Sequence, residues 1–165
     1  MIHDIIGHAP MLYDPEYVNF LKRLCLQLEM TELKTIDLEY LSLLNNCTKE
    51  KMERMKDEID DLETRLKSDP TLFYKINNIA LWTIEFGMLK NADSMLYYGA
   101  AIVASPLEIN NIRNSLPTIL ELKNISNDIN FNFSDYQDSY FTTQIWEDVI
   151  VYIQTLRADF VSVLN

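Results

Sequence analysis

Apolar residues recur every three or four positions along most of this chain, which is the spacing of amphipathic helices. Asp14 followed by Pro15 is typical of a helix start, and the apolar spacing behind this pair continues to about Met30. The same pattern predicts further helices over residues 36–44, from Thr48 to about 68, over about 71–89, from Pro106 to Asn114 and over 145–161.

The predicted helix after Thr48 carries one apolar seam on an otherwise charged surface. The seam repeats in steps of three and four and consists of Met52, Met55, Ile59, Leu62 and Leu66. Two interpretations fit this pattern. The seam docks the helix on its own domain, or it forms a coiled coil with a partner.

Two short segments favour strands rather than helices. Residues 118–123 and 138–143 are rich in β-branched and aromatic side chains, and we expect them to pair as a small ribbon. The chain contains 3 glycines and 5 prolines, which is too few for the many turns of a barrel or sandwich. The predicted fold class is therefore mainly α, with a short β-ribbon near the C-terminus.

Length and charge narrow the possible functions. A chain of 165 residues corresponds to a single domain, residues 1–165, and its net charge of −11 argues against nucleic-acid binding. Cys25 and Cys47 are too few for a disulfide framework, and no apolar run is long enough to cross a bilayer. We therefore expect a cytoplasmic protein without a nucleic-acid or membrane partner.

His3, His8 and Glu85 are the candidate chemical groups. The two histidines are the only ones in the chain, and Glu85 stands within the apolar stretch of the helix predicted over about 71–89. On an ideal α-helix the two rings would point about 140° apart. Two imidazoles and one carboxylate match the facial triad of non-haem Fe(II) oxygenases. A glutamate hydrogen-bonded elsewhere and two ordinary histidines fit the residues equally well.

Four blocks of sequence, in order, resemble one known family. They are IHDIIGHAPMLYDPEYVNF, ALWTIEFGMLK, YYGAAIVASPLE and SDYQDSYFTTQIWEDV, which together span about residues 1–160. These blocks are similar to the metal-binding, carboxylate-bearing, glycine-containing and C-terminal segments of the pterin-dependent aromatic amino acid hydroxylases. The order and extent of the match make it more specific than any single block.

The resemblance implies an Fe(II) site with His3, His8 and Glu85 as ligands. It places Asp4 near a tetrahydropterin cosubstrate, Phe86 in the pocket for the aromatic amino acid, and Ser105 and Glu108 around the metal and substrate. The implied activity is ring hydroxylation of an aromatic amino acid with O₂, phenylalanine being the favoured substrate. A monomer or weak oligomer is expected.

The spacing of the blocks suggests an addition to the family's plan. His8 and Glu85 are 77 residues apart, longer than the resemblance leads us to expect, and residues 25–69 account for the surplus as a predicted helical insertion. The family's pterin loop and substrate arginine precede the first histidine, so we expect the C-terminal part of a catalytic domain with incomplete activity. The alternative is a non-catalytic, acidic helical interaction module that retains a relic metal site.

Overall fold

The computed structural model describes residues 3–46, 49–92, 94–114, 118–122, 137 and 139–163. Its chain order begins with a π-helical turn over Asp4–His8, and the helices and strands follow. The helices are α1 (Ala9–Met11), α2 (Pro15–Glu29), α3 (Thr35–Asn46), α4 (Lys49–Ser68), α5 (Leu72–Phe86), α6 (Ala100–Val103), α7 (Pro106–Asn114) and α8 (Trp146–Val163). The strands are β1 (Met88–Lys90), β2 (Met95–Tyr97), β3 (Thr118–Glu121) and β4 (Ser139–Thr143).

Helices α2, α5 and α8 enclose the main core. Each contributes its apolar stripe, as the spacing of apolar residues predicts. The core consists largely of Tyr17, Phe20, Leu24, Ile76, Ile79, Trp82, Phe141, Val149, Ile150 and Ile153, all of them buried. The mainly helical fold class is thus confirmed. None of the described helices is long and apolar enough to cross a bilayer.

The start of α2 follows its predicted signal closely. Asp14 is the N-cap, and its carboxylate accepts hydrogen bonds from the backbone N–H groups of Glu16 (2.9 Å) and Tyr17 (3.3 Å). Pro15 takes the first helical position, where a missing N–H has no cost because that group would have no partner inside the helix. This cap fixes where the buried face of α2 begins.

A four-stranded sheet in the order β2-β1-β4-β3 packs against the helices. The two predicted strands pair as expected, and the pairing is parallel, with Thr118 opposite Ser139 and Glu121 opposite Thr142. Strand β4 also pairs in parallel with β1, which forms an antiparallel hairpin with β2. Strands β1 and β2 were not predicted, because three-residue strands are too short to show an alternating pattern. Residues 123 and 138 of the predicted strands lie outside the described residues.

Helix α5 is shorter than predicted. It ends at Phe86, and residues 88 and 89, which were assigned to this helix, belong to β1 instead. The apolar composition continues through residues 87–89, so the sequence pattern alone does not mark the end. The helix stops at Gly87, whose carbonyl accepts hydrogen bonds from the N–H groups of Tyr98 (3.1 Å) and Gly99 (2.9 Å).

Helices α3 and α4 pack side by side as a hairpin. In the predicted seam of α4, Leu62 and Leu66 are buried, and Met55 and Ile59 are half-buried. These four residues pack against other parts of the same chain, which favours the interpretation that the seam docks α4 on its own domain. Thr48 and the side chain of Met52 lie outside the described residues. Helix α2 runs unbroken to Glu29, so the hairpin begins later than residue 25; that the hairpin is an insertion stays a prediction.

Candidate metal centre

The π-helical turn brings the two histidines together. The backbone N–H of Ala9 donates to the carbonyl of Asp4, a bond that spans five residues rather than the four of an α-helix. Residues five apart therefore lie on the same side of this wider turn. The His3 and His8 ring centroids are 4.9 Å apart, and their Nε2 atoms are separated by 3.2 Å. The separation of about 140° expected for an ideal α-helix is wrong for this reason.

Glu85 closes a triangle with the two imidazoles. Its Oε2 lies 3.2 Å from His3 Nε2, and its Oε1 lies 3.4 Å from His8 Nε2. Glu85 is in the last turn of α5, rather than in the middle of an apolar helix as the sequence suggested. Its side chain is 27% exposed, against 41% for His3 and 31% for His8. The three groups form a shallow, partly open cluster.

The spacing of these three donors suits a divalent metal ion. Nitrogen and oxygen ligands bound at about 2.0–2.2 Å lie about 3 Å apart when they occupy neighbouring coordination positions. The C-terminal end of a helix carries partial negative charge, so a carboxylate there gains from a nearby cation. Two imidazoles and one carboxylate on one side of an ion leave its other side free, which is the facial arrangement.

Close backbone contacts hold the two elements that carry the ligands, the π-helical turn with the histidines and the end of α5 with Glu85. A Cβ atom added at Gly7 would lie 2.6 Å from the carbonyl oxygen of Ala100, so the π-turn rests directly on α6. A Cβ atom at Gly99 would lie 2.5 Å from the carbonyl oxygen of Glu85 itself. Only glycine fits where two backbones approach this closely. The glycines fix the distance between the histidine turn and the end of α5.

Asp4 lies beside the two histidines, whereas Phe86 follows Glu85 in α5 and packs against the core. Asp4 is exposed, and one of its carboxylate oxygens forms a group with ring nitrogens of His3 and His8 in which all atoms lie within 4.8 Å of one another. Phe86 is half-buried, with its ring centroid 5.2 Å from that of Trp82 and 6.3 Å from that of Tyr140. Asp4 thus adds a polar group beside the histidines, and Phe86 is adjacent to Glu85 in sequence with its ring in contact with core aromatic rings.

Ser105 and Glu108 lie together at the start of α7. The Ser105 hydroxyl oxygen accepts a hydrogen bond of 3.2 Å from the Glu108 backbone N–H. The buried Glu108 carboxylate accepts a hydrogen bond from the Tyr140 hydroxyl. Burial, and secondarily the Glu108 hydrogen bond, raise the pKa of Tyr140 well above its usual range. Through its ring contact with Phe86, Tyr140 links this pair to the residue that follows Glu85.

Tyr17 is a neighbour of the site that the sequence did not reveal as one. It is 2% exposed on α2, and its ring packs against Tyr98 and Trp146. Burial, together with the negative charge of Glu85, raises the pKa of Tyr17 to about 12. The apolar spacing marked Tyr17 as a core residue, but no sequence signal placed it near Glu85.

Comparison with known proteins places this arrangement in context. A probable aromatic amino acid hydroxylase of Chlamydia pneumoniae is 28% identical over 155 residues, which is 91% of this chain and 36% of that protein. The chain is therefore similar in sequence to this hydroxylase over most of its length. The resemblance inferred from four sequence blocks is thereby confirmed. No family model matches the chain.

Solved hydroxylase structures share the fold. The phenylalanine hydroxylase of Chromobacterium violaceum, solved with iron(III) and 7,8-dihydrobiopterin, superposes with a TM-score of 0.60 at 17% identity, covering 98% of this chain and 47% of that one. For the Legionella pneumophila phenylalanine hydroxylase the TM-score is 0.58 at 15% identity, covering 93% and 50%. The chain therefore spans about half the length of these hydroxylases and about a third of the curated relative.

Proposed function

We propose that this chain carries the metal-binding core of a non-haem iron hydroxylase that acts on an aromatic amino acid. The observation that carries the proposal is the convergence of His3, His8 and Glu85, whose donor atoms lie 3.2–3.4 Å apart although the third ligand comes from a distant part of the chain. The relationship to the aromatic amino acid hydroxylases supports Fe(II) as the metal, tetrahydropterin as cosubstrate and phenylalanine as the favoured substrate.

The residues present fit an Fe(II) ion. His3 and His8 would bind it as neutral imidazoles, and the Glu85 carboxylate would offset one of its two positive charges. When bound, the iron together with a reduced pterin supplies the oxygen-activating chemistry of ring hydroxylation. The chain's part is to hold three donors on one face, which leaves the opposite side accessible to small molecules.

Neighbouring groups would orient the organic reactants. The exposed Asp4 carboxylate can accept hydrogen bonds from the N–H groups of a pterin, and Phe86 offers an aromatic face to a substrate ring. Ser105 would fix the start of α7 by accepting from the Glu108 N–H. The Tyr140 hydroxyl donates to Glu108, which keeps both side chains in place around Phe86.

The proposal also covers the setting of the site. We infer one domain over residues 1–165, with the hairpin within residues 25–69 as an insertion, acting as a monomer or weak oligomer in the cytoplasm. An acidic interaction module with a relic metal site is the alternative, and it predicts no selective metal binding.

Anaerobic equilibrium dialysis with Fe(II) tests the metal site directly. We expect about one iron per chain and a loss of affinity of at least about tenfold in Glu85→Gln, because an amide oxygen is a neutral and weaker ligand. Glu16→Gln is the matched control, since Glu16 is exposed on the first turn of α2 and should leave iron binding unchanged. Equal iron affinity in the two variants would show that the triangle is not the metal site.

Metal-dependent stability gives a second readout that does not depend on turnover. At a free Fe(II) concentration of about 100 times the dissociation constant, a site present only in the folded chain stabilises it by about 2.7 kcal/mol. We expect this gain in anaerobic urea unfolding of the wild-type chain and its loss in His3→Ala. A stabilisation that persists in His3→Ala would place the metal elsewhere and contradict the proposal.

A further inference from the structure

A cleft of about 800 Å³ lies between α3 and α4, on residues that the candidate metal centre does not use. Its floor is formed by three leucines, Leu38 and Leu43 from α3 and Leu62 from α4. Leu38 is 53% exposed, which is unusual for a leucine between two packed helices. Leu38, and to a lesser extent the half-buried Leu43, therefore offer apolar surface that the described part of the chain leaves open to solvent, whereas Leu62 is buried.

The cleft faces away from the body of the domain because the opposite side of α3 makes the attachment. There, the buried Asp37 carboxylate accepts a 2.6 Å hydrogen bond from the Thr71 hydroxyl. The Tyr40 ring lies edge-on to Tyr74 of α5, with centroids 6.4 Å apart. Since these contacts fix one face of the helix, Leu38 and its neighbours one turn along occupy the other face.

The rim of the cleft is strongly acidic. Glu39 contributes one carboxylate from α3, and α4 contributes three from Asp57, Glu58 and Asp61. Among the residues whose side chains the structure describes, no lysine or arginine lines the cleft. Arg65 lies 3.7 Å from Asp61, but both side chains are more than half exposed, so this pair is weak. Four carboxylates around an apolar floor favour an occupant with apolar and positive groups together.

We propose that this cleft binds a basic amphipathic helix of a partner protein. Such a helix would place its apolar face on Leu38, Leu43 and Leu62 and its lysine or arginine side chains against the acidic rim, which is the helix-in-groove mode of recognition. The lining on α3 runs from Thr35 to Leu43, a length of about 12 Å, so two to three turns of the partner would be in contact.

Charge distinguishes this occupant from a second copy of the chain. Each chain carries a net charge of −11, so two copies repel each other at low salt, and a self-association would have to overcome this repulsion. A basic helix is instead attracted to the rim. The inference does not depend on the proposed hydroxylase function, because none of these residues belongs to the candidate metal centre.

Binding of a synthetic helix to the full chain tests the proposal. The probe is a fluorescent, amidated peptide with leucines at positions i, i+3, i+4 and i+7 and lysines on the remaining positions. The control peptide has every lysine replaced by glutamate. Fluorescence anisotropy should show saturable binding of the lysine peptide, weakened by raising salt from about 0.05 M to about 0.5 M, and no binding of the glutamate peptide.

Variants of the chain locate the binding surface. Leu38→Glu and Asp61→Lys should each weaken binding by at least about tenfold, since one removes apolar floor and the other reverses a rim charge. The matched controls are Leu26→Glu, at a leucine that is 51% exposed on α2, and Asp60→Lys, at an exposed acid of α4 outside the cleft. Both controls should bind within about twofold of the wild-type chain.

Each other outcome contradicts the proposal. Absence of binding by the lysine peptide, equal binding of both peptides, or equal losses in the cleft and control variants would exclude a specific basic-helix site. Sedimentation that shows a dimer abolished by Leu38→Glu would assign the cleft to a second copy instead. Circular dichroism verifies that the variants fold, and Asp61→Lys, at an exposed position, decides the question if Leu38→Glu does not.

Discussion

The metal-centre region and the α3–α4 hairpin are held in place by different means. Around the candidate ligands, backbones meet directly at Gly7 and Gly99, where a single added carbon would collide with a carbonyl oxygen. The hairpin is attached through side chains, among them the hydrogen bond between Asp37 and Thr71 and the ring contact between Tyr40 and Tyr74. Backbone contacts fix position more rigidly than side-chain contacts do, because a side chain can rotate away. The geometry of the ligands should thus be sensitive to small changes that the hairpin would tolerate.

The largest expected effect comes from adding one carbon at the ligand end. In Gly99→Ala the new Cβ would meet the backbone of Glu85 and Gly87, neither of which can rotate away. We expect a loss of about 3 kcal/mol in the free energy of unfolding, measured in urea, because the neighbouring backbone leaves no room for the added carbon. The matched control, Ala101→Ser, adds one atom at a half-buried position of α6 and should cost less than about 1 kcal/mol. Similar losses in the two variants would refute the close-contact explanation.

Removing the hydrogen bonds of Asp37 that attach the hairpin should lower the free energy of unfolding somewhat less than Gly99→Ala does. The effect should be confined to the hairpin. Asp37 is 2% exposed and accepts hydrogen bonds from Thr71 (2.6 Å) and from the Lys34 N–H (2.9 Å). Asp37→Ala leaves both donors without this acceptor, and we expect a loss of about 2–3 kcal/mol. Hydrogen exchange should accelerate in α3 and α4 while Fe(II) affinity stays unchanged, with Asp60→Ala as the control. A parallel loss of Fe(II) affinity would mean that the two regions act as one unit.

The buried phenol of Tyr17, close enough to feel the charge of Glu85, should make the stability of the chain sensitive to alkaline pH. The pKa of Tyr17 is raised to about 12 in the folded chain, while an unfolded tyrosine ionises near pH 10. The contribution of neutral Tyr17 to the free energy of unfolding is complete below pH 10. It is lost as pH rises toward 12, because in that range Tyr17 ionises in the unfolded chain but stays largely neutral in the folded chain. At pH 11 this loss amounts to about 1.4 kcal/mol for one such group.

Tyr17→Phe should remove the part of the alkaline destabilisation that Tyr17 causes. The measurement is the difference in the free energy of unfolding between pH 8 and pH 11, in the variant and in the wild-type chain. The buried Tyr98 and Tyr140 and the half-buried Tyr40 also have raised pKa values and will keep part of the pH dependence in both chains. Tyr13→Phe is the control, since the Tyr13 side chain is 90% exposed in the folded chain. An identical pH dependence in wild type and Tyr17→Phe would exclude the proposed burial effect.

The smallest effect is expected on the charged surface of the hairpin. Arg65 and Asp61 form an exposed pair at 3.7 Å, so Arg65→Ala should change the free energy of unfolding by less than about 0.5 kcal/mol. Lys67→Ala breaks a shorter pair with Glu63 at 3.2 Å, where Glu63 also accepts from Tyr40, and should cost more than Arg65→Ala. The reverse order would show that surface charge, rather than the partly buried contact, holds α4.

Regular local patterns made most of the helices predictable. The N-cap at Asp14 and the apolar stripes of α2 and α8 report burial directly, so their positions follow from the sequence within a few residues. The end of α5 was missed because it depends on Gly99 packing against Gly87, a contact between residues far apart in the local pattern. Strands β1 and β2 were missed since their partners, rather than their composition, make them strands.

The candidate site was predictable in its members but not in its geometry. Resemblance to a family pointed to His3, His8 and Glu85, whereas ideal helix geometry set the two histidines apart. The two histidines are five residues apart, a spacing that suits a π-helical turn. Helix propensities alone do not distinguish a π-helical turn from a turn of α-helix. The proximity of Tyr17 to Glu85 depends on how α2 packs against α5, which no local pattern encodes.

The place of β4 in the sheet has a consequence for the order of folding. This strand comes last along the chain but lies between β1 and β3, and it hydrogen-bonds to both. During synthesis the edges of β1 and β3 that pair with β4 therefore stay unpaired until residue 143 has emerged from the ribosome. Contacts that close such long loops form slowly, and unpaired edges invite association with other chains. The yield of folded protein in cells should depend on how quickly this final strand arrives.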